Sequence, residues 1–126
     1  MKISIRRTAL FVFLLFTAGY AQTALNGDAI LGRWQGEKNS NVILIYQSNG
    51  QYFGKVDHSE NASSEGMVIL KNFSFNNDTR EWDGKVYAPK RDMYFDASIK
   101  TINDSTISVT AYAGSRSRSA TWKRVK

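Results

Sequence analysis

Apolar residues occupy every second position in much of the chain. In three segments these positions are Trp82, Gly84, Val86 and Ala88, then Met93, Phe95, Ala97 and Ile99, then Ile107, Val109, Ala111 and Ala113. Successive side chains of a β-strand point to opposite faces of the sheet, so this period is typical of half-buried strands. After residue 21, no long window has the i, i+3, i+4 and i+7 spacing of an amphipathic helix. The pattern therefore predicts an all-β protein.

Turn signals divide the chain into short strands. The clearest is Asn49-Gly50, because this dipeptide favours the tight turn of a β-hairpin. Further clusters of turn-forming residues lie at 76–78, 89–92 and 103–104. The predicted strands are 31–37, 41–48, 51–57, 67–75, 80–88, 92–101, 105–113 and 119–125. Any helix is expected to be a single turn, near 26–30 or 62–66.

About eight short strands joined by tight turns indicate an antiparallel meander. An open meander leaves unpaired strand edges, and closing it into a barrel removes them. A barrel of about eight strands has an interior that side chains fill or that holds one small ligand. We therefore predict a small antiparallel up-and-down β-barrel, with a β-sandwich as the competing architecture.

The N-terminus has the three parts of a secretory signal peptide. Residues 1–7 are positively charged, an apolar segment follows, and Gly19 and Ala21 place small residues where a signal peptidase reads them. The apolar segment is about a dozen residues long, whereas about 20 are needed to span a bilayer. We predict a signal helix over 1–21, cleaved after Ala21, and one domain over 22–126. That domain is expected in the periplasm or outside the cell, without stable membrane insertion, and the absence of cysteine excludes lipid attachment at a cysteine.

The net charge of the chain indicates which class of partner the protein binds. The formal net charge is +6, and three of the positive charges lie in the predicted signal peptide, so +3 remains. The basic residues near the C-terminus are Arg116, Arg118, Lys123, Arg124 and Lys126. In an envelope compartment such a cluster favours an anionic envelope surface over nucleic acid, so no nucleic-acid partner is expected. No oligomeric state is predicted.

Residues able to support catalysis or metal binding are sparse. His58 is the only histidine and cysteine is absent, whereas zinc and copper sites need three or four ligands that are usually His or Cys. Asp83 and Asp96 lie on adjacent predicted strands, but on a polar face such acids normally pair with cations such as Lys85 and Lys100. We expect no metal, no cofactor, no catalytic residue and no enzymatic activity.

Several short motifs follow one another through the predicted strands. They include Ile30-Leu31-Gly32-Arg33-Trp34, Val42-Ile43-Leu44-Ile45-Tyr46, Tyr52-Phe53-Gly54-Lys55-Val56, Glu81-Trp82-Asp83-Gly84-Lys85-Val86-Tyr87-Ala88-Pro89 and Arg118-Ser119-Ala120-Thr121-Trp122. Their order and spacing over residues 28–125 resemble the DUF2147 family of small secreted bacterial proteins. The resemblance implies a small β-barrel related in shape to the calycins, and it implies no particular reaction.

The calycin likeness implies roles for residues that close the barrel. Gly32 and Trp34 are similar to the calycin Gly-x-Trp signature, in which the tryptophan closes the barrel floor under a basic residue of the last strand. Arg124 or Arg118 is expected to stack on the Trp34 ring as that cation. The barrel-closure residues implied in this way are Gly32, Trp34, Trp122 and Arg124.

The chain departs from the DUF2147 pattern at several positions. The usual Tyr-Asp-Pro is replaced by Tyr87-Ala88-Pro89, so an acidic residue is missing. The usual Gln near the C-terminus is Ala120, and the usual cysteines are absent. A family site that depends on that acid or that Gln would be altered in this chain.

The predicted function is based on the aromatic residues. Tyrosine combines a flat apolar face with a hydroxyl, which suits a small amphipathic ligand. One interpretation of the aromatic residues is barrel core, because large rings dominate small cores. The functional interpretation is that Tyr46, Tyr87, Tyr94 and Tyr112 line one end of the barrel and form a ligand site with Arg118. The predicted function is non-catalytic binding of a small amphipathic ligand or envelope component. The alternative is an envelope interaction or assembly module that acts through its outer surface.

Overall fold

The computed structural model describes residues 26–38 and 40–126, which form eight β-strands and two short 3₁₀ helices. The strands are β1 (Gly32–Gly36), β2 (Val42–Ser48), β3 (Gln51–His58), β4 (Val68–Asn76), β5 (Glu81–Ala88), β6 (Met93–Asn103), β7 (Thr106–Ala113) and β8 (Arg116–Val125). The 3₁₀ helices are Gly27–Ile30 and Ala62–Ser64, at the two places where single turns are predicted. All eight predicted strands are present, and β8 begins at Arg116 rather than at residue 119.

The predicted signal peptide over 1–21 lies outside the described residues. Within the part of the chain that the structure describes, no helix is both long and apolar enough to cross a membrane.

The eight strands form one closed antiparallel barrel. Each strand pairs with the next in the sequence, and β8 pairs with β1 to close the sheet. The predicted up-and-down barrel is therefore confirmed, and the competing sandwich is wrong. Closure pairs β1 with residues 122–125 of β8, so these parts of the two terminal strands are not left as open edges.

The N-terminal 3₁₀ helix covers one end of the barrel, which we call the closed end. The indole N–H of Trp34 donates to the carbonyl of Ile30, and that of Trp82 donates to the carbonyl of Gly27, each at 3.0 Å. Because strand direction alternates, the turns β1–β2, β3–β4, β5–β6 and β7–β8 all lie at the opposite, open end.

Large side chains fill the barrel interior next to the closed end. The fully buried ones are Trp34, Trp82, Phe73, Ile30, Ile45, Leu70, Ile99 and Ile107. A Cβ atom at Gly84 would lie 2.8 Å from the Cα of Phe73, so only glycine lets Phe73 pack directly on β5. These side chains form the packed core of the barrel.

The barrel wall is taller on one side at the open end. β1 has five residues and β8 has ten, and β1 pairs only with residues 122–125 of β8. The β7–β8 hairpin therefore extends beyond β1, with residues 116–120 of β8 paired on one side to β7. This difference in strand length shapes the site at the open end.

Candidate functional site

A cavity of about 750 Å³ lies at the open end, against the taller side of the wall. We call it the cup. Its lining residues are Ala88, Pro89, Lys90, Arg91, Phe95, Ala111, Ala113, Arg116, Ser117 and Arg118. They come from β5, β6, β7, β8 and the turn that joins β5 to β6.

Strand register aims two of the arginines into the cup. Directly opposed residues on neighbouring strands point to the same face of a sheet. Arg118 is opposite Ala111, and Ala111 is opposite Ala97, which is only 4% exposed and belongs to the core. Arg116 is opposite Ala113, on the same phase of β7. Both guanidinium groups therefore rise from the inner face of the barrel.

The walls of the cup are made of small residues. Ala111 and Ala113 continue the inward phase that deeper in the barrel holds Ile107 and Val109. Ala88 occupies the end of the inward phase of β5. The change from branched side chains to alanine leaves the space that the packed core lacks.

The cup carries four cationic side chains and no acidic one among its described lining residues: Lys90, Arg91, Arg116 and Arg118. The ion pairs recorded for residues 26–38 and 40–126 lie elsewhere, and they are Arg33–Asp57 at 2.9 Å, His58–Glu65 at 3.6 Å and Lys85–Asp96 at 2.6 Å. Uncompensated positive charge in a concave site attracts anions.

An apolar ring lies beside these charges. The guanidinium carbon of Arg91 is 5.7 Å from the centroid of the Phe95 ring, close enough for a cation–π contact. Phe95 is half-buried and stands opposite Val86 in the register. The cup thus offers an apolar surface next to guanidinium groups, which fits a ligand with an apolar body and an anionic head.

Arg124 lies at the closed end and stabilises the N-terminal segment there. Its guanidinium carbon lies 4.2 Å from the centroid of the Trp34 ring. Nη1 donates to the carbonyl of Leu31 at 2.8 Å, Nη2 to that of Ala29 at 3.0 Å and Nε to that of Asp104 at 3.2 Å. With all three nitrogens engaged by the backbone, Arg124 holds the N-terminal 3₁₀ helix rather than a ligand.

The other implied closure residues lie near Arg124. Gly32 has a φ of +127°, which is strained for any other residue, and a Cβ atom there would lie 2.7 Å from Nη1 of Arg124, so a side chain would displace that guanidinium group. Trp122 lies in the middle of β8, opposite Gly36 and Ile107, and is half-buried against the core. A smaller cavity of about 350 Å³ adjoins Trp34 and Arg124.

Tyr52 ties the N-terminal helix to β3. Its hydroxyl donates to Oδ1 of Asp28 at 2.7 Å, and the residue is 6% exposed. Burial, followed by this hydrogen bond, raises the pKa of Tyr52 to about 12. The contact belongs to the closed end, on the far side of the packed core from the cup.

The raised pKa predicts how stability depends on pH at the closed end. A folded-state pKa above the unfolded value of about 10 stabilises the fold below pH 10, and this contribution is lost as pH rises through 12. Two pKa units correspond to at most about 3 kcal/mol. We expect the free energy of unfolding, measured with urea between pH 9 and about 12.5, to fall less steeply in Tyr52→Phe than in the wild type. Tyr46→Phe, on the outer face, is the matched control and should keep the wild-type slope; equal slopes in all three proteins would contradict the assignment.

The chain matches the model of one protein family over most of its length. Residues 32–124 match the family model DUF2147, described as an uncharacterized protein conserved in bacteria. The chain belongs to the DUF2147 family. No curated protein and no solved structure matches it. The matched segment runs from Gly32 in β1 to Arg124 in β8, and so covers every strand of the barrel.

In this DUF2147 barrel the four tyrosines do not line the cup, so the expected placement is wrong. They occupy the strand phase opposite to the core: Tyr46 follows Ile45, and Tyr94 and Tyr112 lie on the phase of Asp96, which is exposed. In a closed barrel that phase faces outwards. Of the predicted ligand site, only Arg118 lies in the cup.

The outer tyrosines have partners within the protein. The rings of Tyr87 and Tyr94 lie 5.2 Å apart, and Nζ of Lys71 is 3.8 Å from the Tyr94 centroid. The Tyr87 hydroxyl donates to Asp92 at 2.5 Å, and this hydrogen bond, ahead of burial, raises the pKa of Tyr87. The Tyr94 hydroxyl donates to the carbonyl of Val68 at 3.1 Å. These contacts stabilise the wall of the barrel.

Two other outer tyrosines also make contacts within the wall. The Tyr112 hydroxyl is 2.9 Å from Oγ of Ser98. Tyr46 stacks on Phe53, with ring centroids 5.9 Å apart.

Sequence reasoning missed most of the cup. The sequence pattern places Lys90 and Arg91 in a predicted turn, and Arg116 in a basic cluster that precedes the last predicted strand. The signal that finds them is the decrease in side-chain size along the core phase of β7 towards its turn, because small inward residues at a barrel end leave space. Pairing that phase with β8 then points Arg116 and Arg118 inwards.

His58 lies outside the cup. His58 ends β3 and is exposed, with Nδ1 3.6 Å from Oε2 of Glu65. The described residues contain no group of three or more His, Cys, Asp or Glu side chains arranged to hold a metal ion.

Proposed function

We propose that this DUF2147 protein is a non-catalytic binding protein of the cell envelope that holds a small amphipathic anion in the cup. The observation that carries the proposal is the combination of four cations and a small-residue apolar wall in one cavity without a lining carboxylate. The head of the ligand would contact Arg116 and Arg118, and its apolar part would lie along Phe95 and Ala111.

The size of the cup supports a small ligand. Its volume of about 750 Å³ falls within the usual range for small-molecule sites, roughly 300 to 1,000 Å³. The packed core begins at the level of Ala97, so a ligand stays near the open end. An apolar chain of moderate length would enter only part-way.

The charge of the ligand is the feature to test first. Octyl sulfate, octyl glucoside and octyltrimethylammonium carry the same apolar chain with an anionic, a neutral and a cationic head. In calorimetric titrations below their micelle concentrations, we expect octyl sulfate to bind at least about 10-fold more tightly than octyl glucoside. The cationic compound should show no measurable binding.

Salt separates ion pairing from apolar contact in this titration. The preference for octyl sulfate should shrink between low and high ionic strength, because exposed charges are screened. Equal affinity for the anionic and neutral compounds would overturn the proposal, and preferential binding of the cationic compound would do the same.

A further inference from the structure

Among the residues that the structure describes, no strand pairs with the outer edge of β8 along the part that borders the cup. β8 pairs with β7 from Arg116 to Lys123, whereas β1 pairs only with residues 122–125. The β1–β2 hairpin turns back at Glu37, whose N–H donates to the carbonyl of Thr121 at 3.2 Å. Residues 116–120 are exposed and form a short open edge in an otherwise closed barrel.

The hydrogen-bond pattern shows which backbone groups face that open edge. In an antiparallel strand, alternate residues direct their N–H and C=O groups to the neighbour on one side and then to the other. Thr121 accepts from Glu37 on the β1 side, and the N–H of Arg124 donates to Ser105 on the β7 side. By the same alternation, Ser117 and Ser119 direct their backbone groups to the open side. Among the residues that the structure describes, no backbone hydrogen bond to that side is recorded for either serine.

The side chains on this segment favour an acidic partner. Arg116 and Arg118 lie on the inner face, so a strand added beside them would place its own inward residues opposite two cations. Opposite charges on directly opposed strand positions stabilise pairing, and like charges destabilise it. Self-pairing of this arginine-bearing segment between two copies of the chain is therefore disfavoured.

We propose that residues 116–120 bind an extended acidic segment of a partner polypeptide by β-strand addition. Backbone groups of Ser117 and Ser119 would pair with the added strand, and its alternate carboxylates would face Arg116 and Arg118 over the cup. This goes beyond the binding of a small anion, because the backbone edge takes part, although the two uses share the same arginines.

The test uses short peptides with blocked termini. The probe alternates Val and Glu over five residues, and the controls are the same peptide with Lys in place of Glu and a version N-methylated at the Val residues. N-methylation removes the backbone donors and keeps the carboxylates, so it separates strand addition from simple ion pairing. We expect the Glu peptide to bind measurably, the N-methylated form at least about 10-fold more weakly, and the Lys peptide not at all.

A matched pair of variants tests the same edge from the protein side. Ser117→Pro removes the outward N–H, and proline is tolerated where an edge N–H faces solvent. Ser117→Ala keeps that N–H and removes only the hydroxyl. We expect Ser117→Pro to bind the Glu peptide about 10-fold more weakly than the wild type does. The affinity of Ser117→Ala for the same peptide should stay within about twofold of the wild-type value.

The outcomes are distinct from those of the small-anion test. Equal binding of the N-methylated and unmodified Glu peptides, or equal affinity in both Ser117 variants, would overturn strand addition while leaving anion binding intact. Failure of the Glu peptide to bind a protein that binds octyl sulfate would also overturn it. If the wild-type protein does not bind octyl sulfate, that result would instead count against the proposed function.

Discussion

Trp82→Ala is expected to lower the free energy of unfolding by about 4 kcal/mol, the range found for large-to-small core substitutions at aromatic positions. Trp82 is fully buried and lies opposite Ile99, with its ring centroid 4.7 Å from that of Phe75. Its N–H also holds the carbonyl of Gly27, 55 residues away in the sequence. The substitution therefore creates a cavity and detaches the N-terminal helix from the closed end.

Urea denaturation followed by far-ultraviolet circular dichroism measures this loss. Trp82→Phe is the control, because it keeps an aromatic ring and removes mainly the hydrogen bond, so it should cost about 1 to 2 kcal/mol. A net stability of about 5 to 15 kcal/mol is typical, so Trp82→Ala should shift the midpoint visibly. A loss below about 1 kcal/mol for Trp82→Ala would show that the closed end is not packed as described.

The double variant Arg116→Ala, Arg118→Ala is expected to weaken octyl sulfate binding by roughly 30-fold and to leave stability unchanged. Both side chains are exposed and enter no recorded ion pair among the described residues, so we expect the variant to fold as the wild type does. Exposed charge pairs contribute up to about 1 kcal/mol each, and two of them at this upper value give about 2 kcal/mol of binding free energy. Calorimetry of the variant and the wild type at the same ionic strength measures the difference.

The matched control changes the same net charge outside the cup. Lys55→Ala, Lys71→Ala removes two cations from the outer face, where Nζ of Lys55 lies 5.6 Å from the Tyr46 centroid and Lys71 lies over Tyr94. This control should keep the wild-type affinity for octyl sulfate. An equal loss in the two double variants would mean that net charge, and not the cup, determines binding.

Most of the fold follows from local sequence features. The alternation of apolar residues identifies β5, β6 and β7, and Asn49-Gly50 fixes the β2–β3 hairpin, where both residues have positive φ. The start of β8 was placed too late because the Arg-Ser repeat has no apolar phase. Residues 116–118 are held in the strand by their pairing with β7. Such pairing is a tertiary contact, which the sequence of a single segment does not encode.

The candidate site was harder to predict than the fold. Tyr94 and Tyr112 were expected inside because tyrosine is a common ligand-binding residue, although both lie on the polar phase of their strands. Phase decides which face of a closed barrel a side chain occupies, and residue type does not. Ala88 and Ala111 carry no chemical signal at all, and their importance comes from the space they leave in the cup that Arg118 also lines.

The most direct test of the cup is amide chemical-shift mapping with octyl sulfate. In two-dimensional ¹H–¹⁵N spectra of the uniformly labelled protein, we predict saturable shifts confined to residues 88–91, 95 and 111–118. Shifts centred instead on the outer tyrosines Tyr46 and Tyr94, or on the closed end around Trp34 and Arg124, would contradict an anion site at the open end of the barrel.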